Sequence, residues 1–305
     1  MKIAMTQLTR IRKDARAIVR EFGFFQTHYE GTTATHGETH ALVELKRLGE
    51  LEGGELARLL NINKSGASKI LSKLKMKGWT RNSRAVDARK RLTRLSPAGE
   101  KKVREIEELA SRRLQRALDT LTTEDQFTLA TGLELLAKSL KRSRALEQFR
   151  IKPCEPGHNK QIAAIVRRSL KDFGFAGPGT AAADPSLDCL SSFNGARKCY
   201  LIAEKDGKVM GGAGIMPMEE ESETVCELVR MFIRPEARNT GLSEVLMDHA
   251  LTQARKFGYK ICYLETTELM KAAQNLYLKN GFTYVKKRRG NTGHFACTVL
   301  MEKRL

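Results

Sequence analysis

A strand that ends in a loop bearing arginine and glycine, and then runs straight into a helix, is where residue type and spacing first imply chemistry. The segment is Arg234-Pro235-Glu236-Ala237-Arg238-Asn239-Thr240-Gly241-Leu242-Ser243, followed by EVLMDHALTQARKFG. The first N–H groups of a helix have no intrahelical partner, and the helix dipole is positive at that end. Such a loop suits a phosphate or pyrophosphate held by Arg238, Asn239, Thr240, Gly241, Leu242 and Ser243. The G-x-x-x-x-G-K-[ST] pattern is absent, which disfavours a nucleotide triphosphatase. A second chemistry lies upstream. From Asn61 to Arg91 ten basic residues face one acid, Asp87, a density that points to a polyanion and first of all to DNA. In Lys64–Lys77 the residues Ile70, Leu71 and Leu74 form a buried face. Ser65, Ser68, Lys69 and Lys73 lie on the other side, where small hydroxyls and lysines approach base edges and phosphates.

The elements that position these groups follow from periodicity. GETHALVELKRL and GELARLL are amphipathic helices ahead of the basic helix, which stops at Gly78. Trp79–Ser83 and Arg91–Leu95 read as short strands joined by an arginine-rich turn, and Ser96-Pro97 starts a long helix. Helix, turn, helix and basic hairpin is the winged helix-turn-helix order. Long amphipathic helices over 98–121 and 123–149 follow, the second capped at Thr122-Thr123-Glu124. A new composition begins at Phe149-Arg150-Ile151, punctuated by PCEPGH. Beyond it come a strand, a helix over Asn159–Phe173, a Gly/Pro/Ala loop, a hairpin turning at Lys205–Lys208, and the strand ELVRMFIRP. The expected architecture is two domains: a mainly-α winged helix-turn-helix domain over 1–148, then an α+β mixed-sheet domain over 149–305.

Bulk properties agree. The chain has 305 residues and a formal net charge of +19. Residues 1–150 hold 31 Lys+Arg against 18 Asp+Glu, and the rest 23 against 17. No apolar run approaches the roughly 20 residues needed to span a bilayer, and no signal-peptide cleavage pattern follows the amphipathic start. Six cysteines, all in the second half, form no C-x-x-C pair and no zinc-ligand spacing. They read as reduced thiols in a cytoplasmic protein without a metal.

The run ELARLLNINKSGASKILSKLKMKGWTRNSRAVDARKRLTRLSPAGE resembles the MarR family of transcriptional regulators. The likeness lies in the KS-x-x-S recognition helix, the KGW strand entry, the D-x-R wing and the LSPAG helix start. It implies a homodimer on double-stranded DNA, with Ser65, Ser68, Lys69 and Lys73 facing the major groove. It also implies wing contacts from Arg84 and from Arg89, oriented by Asp87, in the minor groove. Surface hydroxyls and a surface ion pair are the plainer readings of the same residues.

The second half resembles the GNAT acetyltransferases. Arg238, Gly241 and, imperfectly, Ser243 match the family's R/Q-x-x-G-x-G/A signature. RMFIRPEAR and LETTELMKAAQNLYLKNGF match its neighbouring motifs, with Met270 where many members carry Asn. The resemblance implies acetyl-CoA as co-substrate, Tyr277 as proton donor to the departing thiolate, and backbone N–H groups of Met231 and Ile233 on the pantetheine or the thioester carbonyl. An amine must lose a proton to attack the thioester. Glu227, four residues before Met231 and two before Val229 on the same sheet face, is the favoured base. A tyrosine packed beside Phe282 and a carboxylate paired with Arg230 or Lys198 are the structural alternatives. His294 would line the acceptor site or act structurally. Acceptor loops are expected over 174–188 and 216–223, the second acidic enough to attract a small amine or a lysine-type side chain.

The sequence therefore predicts a DNA-binding regulator fused to an N-acetyltransferase of primary amines. Two other readings stay open: a transcription factor that only senses acetyl-CoA, and an enzyme whose winged domain only dimerises.

Overall fold

The computed structural model describes residues 5–84, 91–175, 177, 179–293 and 295–305. Two compact units divide the chain, residues 1–132 and 133–305.

The first unit opens with the helix α1 (Met5–Glu21), which buries no side chain. Helix α2 (His36–Leu48) starts on a capping box in which Thr35 and Glu38 satisfy each other's backbone N–H. Strand β1 (Glu50–Glu52) and helix α3 (Gly53–Leu59) lead to α4 (Lys64–Met76), whose N-cap Asn63 accepts the Gly66 N–H at 2.7 Å. Strands β2 (Thr80–Arg84) and β3 (Arg91–Leu95) form an antiparallel hairpin with β1 on the far side of β3. Helix α5 (Pro97–Leu118) shows why Ser-Pro-Ala-Gly stands at its start. Ser96 Oγ accepts the Gly99 N–H at 3.1 Å and donates to the Gly78 carbonyl at 2.6 Å. A Cβ on Gly99 would overlap the Trp79 carbonyl, so this turn admits glycine alone. Leu42, Leu45, Leu56, Leu74, Val103 and Ile106 form the core.

Helix α6 (Thr123–Gln148) starts at Thr122, whose Oγ1 accepts the Asp125 N–H at 3.1 Å. The units part inside this helix, at Gly132/Leu133, whereas composition places the junction at 148/149. Ala145 and Phe149 are buried in the core of the second unit.

That unit is a seven-stranded mixed sheet built from β4 (Arg150–Pro153), β5 (Cys199–Lys205), β6 (Lys208–Pro217), β7 (Val225–Ile233), β8 (Ile261–Thr266), β9 (Thr283–Tyr284) and β10 (Val299–Arg304). The order is β4-β5-β6-β7-β8-β10-β9, and only β7 and β8 run parallel. Near-continuous apolar runs in β5 and β6 are explained by cover on both faces. On one face α8 (Leu242–Lys256), the end of α6 and Tyr277 of α9 (Lys271–Lys279) pack on Leu201, Ala203 and Ala213. On the other, α7 (Asn159–Asp172) and a 3₁₀ segment, Pro185–Phe193, pack on Tyr200 and Ile202.

Candidate active site and nucleic-acid interface

The two parallel strands meet only briefly. Val225–Glu227 pair with Ile261–Tyr263, and beyond that point β7 pairs only with β6 while β8 pairs only with β10. A parallel pair that separates in mid-sheet leaves one edge of each backbone open to an extended ligand bearing amide groups. Met231 and Ile233 lie on that open stretch. A bulge precedes them: Val229 pairs with Gly214 and Phe232 with Gly212, so Arg230 and Met231 oppose Ala213 alone. Arg230 takes φ +48°. Strict alternation would put Met231 on the same face as Glu227. The extra residue reverses it, and Met231 and Ile233 pack with the α8 side while Val229 and Phe232 pack with the α7 side.

The loop between β7 and α8 has a geometry that suits an anion. A 3₁₀ turn over Pro235–Ala237 is followed by Asn239 at φ +64° and Gly241 at φ +95°. Thr240 Oγ1 donates to the Ala237 carbonyl at 2.7 Å and holds the turn closed. Among the described residues, the N–H groups of Thr240, Gly241, Ser243 and Glu244 make no hydrogen bond, while the Leu242 N–H reaches Thr240 Oγ1 at 3.4 Å. Four free donors at the positive end of a 15-residue helix fit a pyrophosphate. Gly241 is required twice, by its φ and because a Cβ there would stand 2.8 Å from the Lys141 carbonyl oxygen.

Glu227 lies 8% exposed in the interior of the sheet. Burial pushes its carboxyl up to about 8; the nearby Glu265 carboxylate adds to the rise, and Arg230 and Arg288 oppose it. It pairs with neither Arg230 nor Lys198: the Arg230 guanidinium bonds instead to Asp184 and to Ser186 Oγ. Glu265 is a residue that sequence reasoning missed. Its side chain is fully covered, accepts from Tyr263 Oη at 3.0 Å, and has Arg288 Nη1 3.0 Å away without hydrogen-bond alignment. Burial raises its carboxyl too, against the Tyr263, Arg288 and Thr292 contacts. Alternation along β8 and the Glu227–Tyr263 pairing would have revealed it, but only once the register was known.

Tyr277 packs beside Phe282, ring centroids 5.8 Å apart, as the structural alternative expects. Its hydroxyl has no hydrogen-bond partner among the described residues, and burial keeps the phenol protonated far above neutral pH. Cys297 lies within electrostatic reach of both Tyr277 and the two carboxylates, and burial pushes its thiol up to about 11. In the acidic loop, Glu221 and Glu223 already face Arg289 and Arg197. His294 lies outside the described residues.

In the first unit Ser65, Ser68, Lys69, Ser72 and Lys73 are exposed along α4, while Ala67 and Leu74 are buried. Ser65 Oγ donates to Asn63 Oδ1 at 2.9 Å, so this hydroxyl has a capping role as well as an exposed position. Arg84 ends β2. Asp87 and Arg89 lie outside the described residues.

Comparison with known proteins finds a match in each half of the chain. The MarR family matches residues 34–91, and the Acetyltransferase (GNAT) family matches residues 165–282. The uncharacterized N-acetyltransferase YjgM of Escherichia coli is 38% identical over 149 residues, covering 48% of this chain and 89% of that protein. N-acetyltransferase 8 of Homo sapiens is 31% identical over 86 residues, 28% of this chain and 38% of that protein. A solved GNAT-family acetyltransferase from Staphylococcus aureus superposes with a TM-score of 0.47 at 15% identity, over 51% of this chain and 98% of its own. The chain belongs to the GNAT family of N-acetyltransferases and carries a MarR-family domain ahead of its catalytic half.

Proposed function

We propose that this protein is a DNA-binding transcriptional regulator whose second half transfers an acetyl group from acetyl-CoA to a primary amine. The observation that carries the reading is the cradle of four free N–H groups at the start of α8, placed directly after the strand that bears the bulge and Glu227. Acetyl-CoA supplies an activated acetyl thioester. Arg238 and the 239–243 loop hold its pyrophosphate, and the Met231 and Ile233 N–H groups take the pantetheine and the thioester carbonyl. Glu227 accepts the proton of the attacking ammonium, a task suited to a carboxyl with affinity for protons near neutral pH. Tyr277 holds its proton for the departing sulfur. The covered Glu227 and Glu265 pair favours a cationic acceptor, such as a small amine or a lysine-type side chain. Ser65, Ser68, Lys69 and Lys73 on α4 contact DNA in this reading, and the resemblance adds Arg84, Asp87 and Arg89. The exposed apolar residues Leu8, Ile11, Leu114 and Phe127 support self-association as a homodimer. This reading places the protein in the cytoplasm, where DNA and acetyl-CoA are both available.

Calorimetry with acetyl-CoA, followed by an amine screen for CoA release with Tyr277→Phe as control, tests it. Tight binding with turnover that falls in the variant upholds the assignment. Turnover unchanged by the substitution removes Tyr277 from the mechanism, and failure to bind acetyl-CoA overturns the cradle.

A further inference from the structure

Tyr200 reaches across a strand. Its ring starts on β5, crosses β6, and places its hydroxyl 2.8 Å from the Arg230 carbonyl in the β7 bulge. The crossing explains the glycines of Gly212-Ala213-Gly214. A Cβ on Gly212 would lie 2.6 Å from Tyr200 Cε1, and one on Gly214 would lie 2.7 Å from Cδ2. The ring is fully buried, its edge meets Phe193 at 6.4 Å between centroids, and Phe193 also stacks against the Arg230 guanidinium at 4.9 Å. Arg230 is further tied to Asp184 and Ser186 on the 3₁₀ segment beside α7. One residue at φ +48° is thus fixed at its carbonyl by Tyr200 and at its side chain by three neighbours. A non-glycine residue stays in that region only where its surroundings hold it there.

The peptide unit is planar, so the direction of the Arg230 carbonyl sets the direction of the Met231 N–H. The carbonyl points at Tyr200, and the N–H points the opposite way. We propose that Tyr200 is a positioning residue for acetyl transfer, locking the bulge so that the Met231 N–H is aimed at the thioester carbonyl. Tyr200 touches no substrate and acts through the peptide it orients. The proposal rests on the acetyl-transfer reading above and adds to it the device that aligns the polarising donor. The same network joins the bulge to the 3₁₀ segment through Asp184.

The test loads the full-length protein with acetyl-CoA carrying ¹³C at the thioester carbonyl and reads the carbonyl stretch by difference infrared spectroscopy. In the unmodified protein the stretch should move to lower wavenumber than in free acetyl-CoA. Tyr200→Phe should abolish that displacement and lower kcat at least about tenfold, since misaligning one such donor costs a large part of its effect. The KM for acetyl-CoA should change less than about threefold, because binding by the loop is untouched. A normal displacement and kcat in Tyr200→Phe overturns the proposal, as does a loss of affinity with the displacement intact. An unmodified protein without any displacement also overturns it. Should Tyr200→Phe fail to fold, Arg230→Gly and Arg230→Val decide. Glycine accepts the positive φ and should keep the displacement, valine should lose it, and equal behaviour overturns the proposal. Failure to turn over any amine is a distinct result, which counts against the acetyl-transfer reading alone.

Discussion

Glu227 is a carboxyl whose surroundings favour its proton, and this has opposite consequences for rate and for stability. As the proposed base it must be ionised, so kcat/KM should rise with pH through about 8. Glu227→Gln should lower kcat by about 10²-fold or more and remove that limb; a variant that keeps the limb would assign it to another group. The folded value lies above the ordinary carboxylate range near ~4.3, so the folded state binds the proton more tightly. The stability contribution is complete below the ordinary value and is lost as pH rises through about 8. Glu227→Gln should therefore melt higher than the unmodified protein at pH 9, with the gap closing toward pH 5, as read by thermal unfolding. The placement of Glu227, Arg238 and Gly241 on one strand and the loop after it is legible in sequence because the two are contiguous. Glu265 and Arg288 are not, because they meet through the β8 register and a long connection before β10. The paired fates of Tyr277, proton donor or neighbour of Phe282, cannot be separated by sequence, since one ring serves both.

At the scale of elements, the proposed function has α4 and the start of α8 each serve a polyanion, but by different physics. The α4 face is made of long cations in water, so its proposed contribution to DNA binding is counterion release. Lys69→Ala and Lys73→Ala should each weaken DNA binding uniformly across sequences and reduce the slope of log affinity against log salt by about 1. Gel shifts over a salt series measure this, and an unchanged slope would take the residue off the phosphate backbone. The α8 cradle instead relies on fixed backbone dipoles, so its weak point is conformational. Gly241→Ala forces an alanine to φ +95° against the Lys141 carbonyl. Left-handed backbone costs about 1–2 kcal/mol, so the acetyl-CoA dissociation constant should rise at least about tenfold by calorimetry. Periodicity locates both helices to within a residue or two. It misses the β7 bulge, because an inserted residue leaves the apolar pattern VCELVRMFI looking like one unbroken strand.

The whole molecule turns on α6. Composition changes at Phe149-Arg150, where a helix gives way to a strand, but compactness changes earlier, inside the helix. The reason lies in the final turns of α6. Ala145 is buried in the same cluster as Leu242 and Val245, Lys141 Nζ sits 2.7 Å from Glu244 Oε1, and Arg142 Nη2 sits 2.6 Å from Asp248 Oδ2. These are residues of the catalytic half in all but sequence position, and no composition window could separate them from the rest of their helix. A fragment over 149–305 should accordingly be less stable than one over 133–305. Two exposed ion pairs worth up to ~1 kcal/mol each, with the apolar cover around Ala145 partly replacing them where they fall short, give a difference of ~2 kcal/mol. For a unit of this size that is about 4–8 °C in Tm, measurable by calorimetry of the two fragments. The longer fragment should also bind acetyl-CoA more tightly, because Lys141 and its carbonyl pack directly on Gly241 of the proposed phosphate loop. Equal melting temperatures and equal affinities would mean that the end of α6 merely rests on α8, and that the functional boundary lies where composition puts it.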